Sequence, residues 1–223
     1  MSSDESTRAK ILLAAGPIFA ERGFRCATVR EICDAAGVNL ASVNYYFHDK
    51  QNLYIETVMQ ARAMRAQQVP FPDWPVDSAP EARLRMFIRF LLQRVVASDS
   101  APWEVRLLMR EFLEPTEACR RLVEEHFRPV FDRLLGLIDE LVGVRLDDAT
   151  RNQVGFSIIG QCLHYRYSSF VIQLLLGEDD PTFSIDELTE HITRFSLGGI
   201  ESIRQRIEPT ANANATSNPF PAP

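Results

Sequence analysis

Residues 28–54 read TVREICDAAGVNLASVNYYFHDKQNLY, and this stretch decides how the first part of the chain folds. Thr28 followed three positions later by Glu31 is a capping box, which predicts that a helix begins here. Gly37 can adopt positive φ and predicts the end of that helix. Asn39 and Asp49 can cap two more helices, over 40–47 and from 49 to about 68.

The link between the first two of these helices is the three-residue turn Gly37-Val38-Asn39. Two capped helices joined in this way are typical of a helix-turn-helix, whose second helix enters the major groove of DNA. Val38 can bury its side chain between them, and Ala41 and Ser42 are small enough to approach base edges. Two antiparallel helices of an ordinary core would give a similar pattern, so the turn alone leaves both interpretations open.

An amphipathic helix precedes this pair, because apolar residues recur at helical spacing from Ile11 to Phe19, and Gly23 marks its expected end. Pro17 lies in the middle of that helix. Proline has no backbone N–H and clashes with the carbonyl of Leu13, which costs about 3 kcal/mol in an unadapted helix. We therefore expect a local kink at Pro17.

The remainder of the chain is also predicted to be helical. Four prolines within residues 69–80 predict a non-helical connection. Pro129 predicts a kink or break inside one of the later helices, and the Pro-, Asn- and Ala-rich end of the chain is predicted to be disordered. The helices expected after the connection are 80–97, 103–114, 116–142, 147–176 and 184–206.

The charge distribution excludes a protein that coats nucleic acid through bulk attraction. The chain has 24 Lys and Arg against 30 Asp and Glu, a net charge of −6. The first 65 residues hold eight basic against seven acidic residues, and only Lys10 and Lys50 are lysines. Binding of DNA by this part would therefore depend on individually placed groups.

The sequence favours a cytoplasmic protein. The first residues, MSSDESTRAKILL, lack the pattern of a secretory signal, and no apolar run approaches the roughly 18 residues of a membrane span. Four cysteines are too few and too scattered for a disulfide framework, so we expect reduced thiols. No cofactor and no membrane partner are predicted.

Residues 28–54 closely resemble the DNA-binding signature of TetR-family transcriptional regulators, over about residues 7–60, and the pattern Tyr45-x-Phe47-x-x-Lys50-x-x-Leu53 is its specific end. Residues 110–116 and 160–162 resemble, more loosely, the effector domain of the CecR-like branch. The resemblance implies a homodimer whose two heads read a palindromic operator in double-stranded DNA. It also implies that Thr28 and Lys50 hold phosphates, and that a groove-facing set consists of Leu40, Ala41, Ser42, Asn44 and Tyr46, with Tyr45 at the edge.

The fold expected on these grounds is all-α, with a three-helix DNA-binding head followed by a helical bundle for effector binding and dimerisation. The predicted parts are 1–48 for the head, 49–68 for a connecting helix, 69–80 for the Pro-rich connection, 81–207 for the bundle and 208–223 for a disordered tail. The two long helices after residue 147 would pack against a second copy, although their apolar residues could equally face their own core.

The chemistry of the side chains leaves alternatives for some of these DNA contacts. Asn44 can pair bidentately with adenine, but it could also remain solvated or contact a phosphate. Tyr45 and Tyr46 could pack on the surface of the head instead of entering the groove. Lys50 is the firmest phosphate contact, since a flexible charge after a helix cap needs no exact geometry.

An effector pocket in the bundle is the predicted second site, because a few polar groups among apolar ones are usual for small-molecule sites. The arginines could instead form surface ion pairs with neighbouring glutamates. The candidate residues lie on two helices, with Phe112 beside the first group: Trp103, Arg106, Met109 and Arg110, then Gln161, His164, Tyr165 and Arg166.

No motif of an enzyme is present: the sequence has no Gly-rich phosphate loop, no His-Glu-x-x-His and no Gly-x-Ser-x-Gly. Cys119, His126, Cys162 and His164 match no zinc spacing, so no metal site is predicted. We expect a ligand-responsive repressor without catalytic residues. The alternative is a bundle enzyme or small-molecule carrier whose head docks to a protein.

Overall fold

The structure, a computed structural model, describes residues 3–75, 77–95, 102–177 and 183–215, and their side chains from residue 4 to residue 207. These residues form helices and no strand, as an all-α fold requires. The helices are α1 (Ser3–Cys26), α2 (Val29–Ala36), α3 (Leu40–Phe47), α4 (Lys50–Gln68), α5 (Pro80–Val95), α6 (Trp103–Leu113), α7 (Glu117–Leu122), a π-helix (Val123–Phe127), α8 (Arg128–Val142), α9 (Asp148–Tyr167), α10 (Ser169–Leu176) and α11 (Ile185–Ala215).

The chain divides into two compact units. The first, Met1–Phe71 with Ala97–Pro129, holds α1 to α4 together with α6, α7 and the π-helix. One continuous core joins them, so the helix-turn-helix shares its apolar interior with α4, α6 and α7. Its fully buried large side chains include Ile11, Phe19, Ile32, Phe47, Leu53, Tyr54, Leu107 and Leu122.

The second unit, Pro72–Val96 with Val130–Pro223, contains α5, α9, α10, α11 and nearly all of α8. Helix α5 packs against α9 and α11. Ion pairs from Arg85 to Glu190 and from Arg89 to Asp186 join α5 to α11 at the surface. The buried residues of this unit include Leu84, Phe87, Ile88, Leu134, Ile138, Ile158, Leu188 and Ile192.

The two units do not coincide with the parts drawn from the sequence. The sequence places residues 97–129 in the bundle 81–207, whereas in the structure the described part of this segment, 102–129, packs with the helix-turn-helix. The core residues Leu107 and Leu122 explain this grouping, since both are fully buried against α1 and α4 side chains. The functional boundaries at 48, 68, 80 and 207 stay a prediction.

The interruption expected at Pro17 lies elsewhere. Every residue of α1 except Gly23 keeps helical backbone angles, and Gly23 breaks the helix with φ 72° and ψ 175°. Pro17 and Leu13 both lie on the exposed face of α1. The predicted kink at Pro17 is therefore wrong, and the predicted end at Gly23 is confirmed as a break in the helix.

A π-helical turn divides the segment predicted as one helix over 116–142. The π-helix ends where the Arg128 N–H donates to the Val123 carbonyl, five residues back. Pro129 follows at once and has no N–H for the carbonyl of Glu125. The helix therefore changes from i→i+4 to i→i+5 hydrogen bonding just before Pro129, where a kink or break was expected.

The segment 147–176 is two helices and not one, which corrects the prediction. Ser168 leaves helical geometry with φ −105° and ψ 14° and separates α9 from α10. Its hydroxyl lies 3.2 Å from His164 Nδ1. A serine that hydrogen-bonds locally competes with regular helix geometry, and the sequence pattern alone does not reveal this.

The last helix is longer than predicted. Helix α11 continues through Ala215, which overlaps the part of the chain expected to be disordered from residue 208. Residues 216–223 of the predicted tail lie outside the described residues.

Candidate functional site

Three side-chain caps build the helix-turn-helix as predicted. The Glu31 N–H donates to Thr28 Oγ1 at 3.2 Å and starts α2. The Ser42 N–H donates to Asn39 Oδ1 at 2.9 Å and starts α3. Asp49 caps α4 in the same way, with Asn52 N–H at 2.7 Å. Gly37, with φ 66° and ψ 36°, ends α2 in the left-handed conformation that glycine favours.

Helix α3 presents one exposed face. Val43 and Phe47 are buried in the core, Asn44 and Tyr45 are exposed, and Tyr46 packs partly against the core. Leu40 is 56% exposed and Tyr45 is 70% exposed, a large apolar area for the surface of a small helix. Of the residues predicted to contact DNA, Leu40, Ala41, Asn44 and Tyr45 are exposed, and Ser42 and Tyr46 are half-buried.

The two tyrosines differ in their surroundings. The Tyr46 hydroxyl donates a hydrogen bond to Asp4 Oδ1 in the first turn of α1. This bond is the main reason why the pKa of Tyr46 is raised, and burial adds to it. The rings of Tyr45 and Tyr46 meet edge to face, with centroids 4.9 Å apart. Tyr46 therefore packs partly on the head itself, whereas Tyr45 projects into solvent.

Lys50 is held at the start of α4. Its Nζ donates to the Arg25 carbonyl at 3.2 Å and lies 4.9 Å from the centroid of the Phe24 ring. An ammonium group has three donors, so one bond to a carbonyl leaves others for a phosphate. The position is thus defined before any ligand arrives.

Thr28, the other predicted phosphate contact, is engaged within the protein. Its N–H and hydroxyl both donate to Glu31 Oε2, at 3.0 and 2.9 Å. Glu31 also forms an ion pair with Arg22. The bond from the Thr28 N–H is the largest cause that lowers the pKa of Glu31. A phosphate at Thr28 would therefore compete with a carboxylate of the same chain.

The turn into α4 is strained at His48. This residue has φ 67° and ψ −49°, and the Asp49 N–H donates to the Phe47 carbonyl at 2.8 Å, so the turn is a γ-turn of positive φ. A non-glycine residue rarely adopts this conformation, because its Cβ crowds the backbone. The strain lies directly between α3 and α4.

We predict that His48→Gly raises the free energy of unfolding by about 1 kcal/mol, since glycine adopts positive φ without strain. Urea denaturation gives the change as a higher midpoint. Ala35→Gly, at an exposed helical position, is the control and should lower stability by about 1 kcal/mol. A loss of stability in His48→Gly equal to that of the control would contradict the assignment of strain.

The predicted effector residues of α6 lie beside glycines of α1. A Cβ on Gly16 would sit 2.4 Å from Trp103 Cζ3, so the indole ring occupies the space that a side chain would fill. A Cβ on Gly23 would sit 2.4 Å from Arg110 Nε. Arg110 also pairs with Glu114 at 3.5 Å, the surface ion pair that the sequence left open. Arg106 is exposed and Met109 is half-buried.

The predicted effector residues of α9 belong to the other unit. Gln161, His164 and Tyr165 line a groove of about 410 Å³, together with Gly160, His191, Ile192 and Phe195. Arg166 is half-buried and is not part of that lining. The structure thus brings together three of the four α9 residues. The four α6 residues belong to the first unit and the four α9 residues to the second.

Two buried glutamates on α6 are not anticipated from the sequence. Glu111 is fully buried and accepts hydrogen bonds from the Tyr54 hydroxyl at 2.5 Å and from the Thr116 hydroxyl at 2.8 Å. Burial, followed by the bond to Glu111, strongly raises the pKa of Tyr54. Glu104 is 6% exposed, and its Oε2 has no hydrogen-bond partner among the described residues. Their spacing of seven on α6 places both on one helix face, a signal that could have indicated burial.

Polar side chains of α4 and the π-helix lie in the same unit as Glu104. Arg62 and Arg65 are half-buried, and burial lowers the pKa of each. His126 has a lowered pKa, first because of burial and then because of the Arg62 charge. Arg62 Nε is buried and lacks a partner within the described ranges. Buried polar atoms of this kind are found where a ligand or water completes the hydrogen bonding.

The cysteines and histidines considered for a metal are separated between the units, with Cys119 and His126 in the first and Cys162 and His164 in the second. In the described part of the chain, no group of three or more His, Cys, Asp or Glu side chains is placed to hold a metal ion. Burial raises the pKa of the Cys162 thiol to about 12. None of the described helices has both the length and the apolar character needed to cross a membrane.

Two protein-family models together match most of the chain. The model for the bacterial regulatory proteins of the tetR family matches residues 11–57. The model for the C-terminal domain of the HTH-type transcriptional dual regulator CecR matches residues 80–200. The two matches cover the helix-turn-helix and the helices after the Pro-rich connection.

Individual proteins agree with these matches. The chain is 32% identical to the transcriptional regulator RutR of Escherichia coli (strain K12) over 193 residues, which cover 85% of this chain and 88% of RutR. It is 26% identical to the transcriptional dual regulator CecR of Shigella flexneri over 183 residues, which cover 78% of this chain and 81% of CecR.

Among solved structures, AibR in complex with isovaleryl coenzyme A and operator DNA has a similar fold. Its TM-score is 0.61 at 18% identity, with 84% of this chain and 96% of that chain covered. The exposed recognition helix, the two family models and the identity to RutR agree. The chain belongs to the TetR family of transcriptional regulators, which are DNA-binding proteins and not enzymes.

Proposed function

We propose that this regulator is a repressor that binds a palindromic operator as a homodimer and leaves it when a small molecule binds. The observation that carries the proposal is the exposed face of α3 beside a lysine already held in place. TetR-family regulators bind operator DNA and small-molecule ligands. A protein with this role would act in the cytoplasm, where the operator is.

The DNA contacts that we propose are those expected from the sequence. Leu40, Ala41, Asn44 and Tyr45 would face the bases or the groove edge because they form the exposed side of α3. Lys50 would hold a phosphate with the donors that it does not give to Arg25. The remaining contacts of the proposed interface are Thr28, Ser42 and Tyr46.

A homodimer is supported by exposed apolar side chains of the second unit. Helix α10 has no buried residue, and Leu175 is 79% exposed. An exposed apolar surface of this kind is expected to be covered by another protein surface, and a second copy is the partner that a palindrome requires. The exposed residues include Phe156, Phe170, Leu174, Leu175 and Phe195.

We propose that the effector acts through α6. The Trp103 ring lies against Gly16 of α1 and the Arg110 guanidinium against Gly23. A displacement of α6 would therefore shift α1, which is part of the DNA-binding head. The buried polar atoms of Glu104 and Arg62 support a polar ligand close to this helix. The groove beside Gln161, His164 and Tyr165 includes Phe195, which a second copy would cover, and this favours the α6 group over the α9 group as effector contacts.

The proposed function is tested by enriching duplexes from a random pool with the purified protein. We expect a palindromic sequence with half-sites about 10 base pairs apart, since a dimer of helix-turn-helix heads spans one turn of DNA. Light scattering of the complex should give two protein chains for each operator. Failure to retain any duplex at about 50 mM salt, where phosphate contacts are strong, would exclude the proposal.

Lys50→Ala should weaken binding to all duplexes by a similar factor and lower the slope of log K against log salt by about one, because one phosphate contact is lost. Fluorescence anisotropy at several salt concentrations measures both quantities. Arg145→Ala removes an exposed charge in the link before α9 and is the matched control, with no expected change in slope. A loss restricted to particular base substitutions would contradict the phosphate role.

A further inference from the structure

A carboxylate of α1 accepts a hydrogen bond from the hydroxyl of a tyrosine in α3. The Tyr46 O–H donates to Asp4, which is exposed and lies in the first turn of α1. Thr7 also hydrogen-bonds to the Tyr46 hydroxyl. Arg8, on the next turn, pairs with Glu56 of α4 and lies 5.4 Å from the centroid of the Phe47 ring. The start of α1 is therefore fastened beside α3, and Asp4 is held against Tyr46.

This bond uses the single proton that a phenol can donate. A DNA phosphate oxygen would accept the same proton, and it carries the same sign of charge as Asp4. The phosphate and the carboxylate cannot both accept this bond, and each repels the other. Binding of DNA through Tyr46 thus requires that Asp4 give up its hydrogen bond.

We propose that Asp4 is an affinity-setting residue that competes with a DNA phosphate for the Tyr46 hydroxyl. The inference rests on the proposed function, because it takes Tyr46 as a DNA contact. Breaking the bond is possible at modest cost, since Asp4 is exposed and lies in the terminal turn of a helix, where the backbone frays first. Asp4 thereby keeps the affinity of the free head for DNA below the value that its other contacts would give.

Asp4 also has an ordinary structural role, which must be separated from competition. An acidic residue in the first turn stabilises a helix through its dipole, and Glu5 shares that place in α1. Glu5→Ala therefore removes the same charge one residue away and is the matched control. Tyr46→Phe removes the hydroxyl for which the two acceptors compete.

The experiment measures binding of Asp4→Ala, Glu5→Ala and Tyr46→Phe, and of the double variant of Asp4 and Tyr46, to the enriched operator duplex. Fluorescence anisotropy gives each affinity, and circular dichroism gives the thermal midpoint. We expect Asp4→Ala to bind about fivefold more tightly than the unchanged protein and Glu5→Ala less than about twofold more tightly. In the Tyr46→Phe background the gain from Asp4→Ala should disappear.

Equal gains for Asp4→Ala and Glu5→Ala would show general charge repulsion only and would overturn the inference. A gain that persists without the Tyr46 hydroxyl would do the same. Loss of the first turn of α1 would weaken binding, which is opposite to the expected result and also counts against it. If the unchanged protein binds DNA and Asp4→Ala shows no gain, only this inference fails; if no duplex is bound, the proposed function fails as well.

Discussion

Gly16→Leu is expected to lower the free energy of unfolding by about 3 kcal/mol, although leucine is the better helix former. The indole of Trp103 fills the space beside Gly16, and three of its ring atoms would lie 2.4–2.6 Å from an added Cβ. A rigid ring cannot yield as the tip of a flexible chain does, so the ring or α6 must move. Urea denaturation followed by far-UV circular dichroism measures the loss.

The matched control is Gly136→Leu in α8, where an added Cβ would have no other atom within 4 Å. That change should stabilise the protein by up to about 1 kcal/mol through helix propensity. Adding Trp103→Ala to Gly16→Leu should restore most of the loss, because the new side chain then fills the place of the ring. Equal effects of the two leucine substitutions would show that Gly16 is not a packing requirement.

Glu111→Ala should be the most destabilising single change, with a loss of about 4 kcal/mol. It removes the acceptor of the Tyr54 hydroxyl and of the Thr116 hydroxyl and N–H, and it leaves a cavity in the core. A buried phenol hydroxyl without a hydrogen-bond acceptor destabilises the fold, because it has lost its hydrogen bonds to water and forms none within the protein. Chemical denaturation monitored by tryptophan fluorescence gives the magnitude.

Glu114→Ala is the control for loss of a glutamate beside the same helix. Its carboxylate is 69% exposed and pairs with Arg110 at 3.5 Å, so its removal should cost less than about 0.5 kcal/mol. A double change of Glu111→Leu with Tyr54→Phe should recover part of the stability, because no buried phenol is then left without an acceptor. A loss in Glu111→Ala no larger than in Glu114→Ala would refute the role of the buried network.

The local features of the head follow from its sequence because each is decided by one or two neighbouring side chains. The caps at Thr28, Asn39 and Asp49 and the ends at Gly23 and Gly37 need no distant partner. The exposed face of α3 follows from helical spacing once the core positions are known. The function did not follow from these features alone, because the turn left two interpretations open; it followed from the resemblance of residues 28–54 to the TetR-family signature.

Features that depend on residues distant in the sequence could not be predicted from local sequence patterns. The reason for Gly16 is Trp103, and the partner of Glu111 is Tyr54, at separations that a pattern of spacing does not encode. The grouping of α6 and α7 with the head is also a result of tertiary packing, since it depends on which apolar faces meet.

That grouping limits how the protein can be divided in the laboratory. A fragment ending after α4 would lose Leu107 and Leu122 from the shared core and would leave the Tyr54 hydroxyl without Glu111, so we expect the isolated fragment to have low stability. A chimaera that joins this head to the bundle of another protein would have to keep residues 102–129 with the head. Because α6 and α7 follow α5 in the chain but pack with the head, an exchange of parts at the Pro-rich connection would separate α6 and α7 from the helices against which they pack.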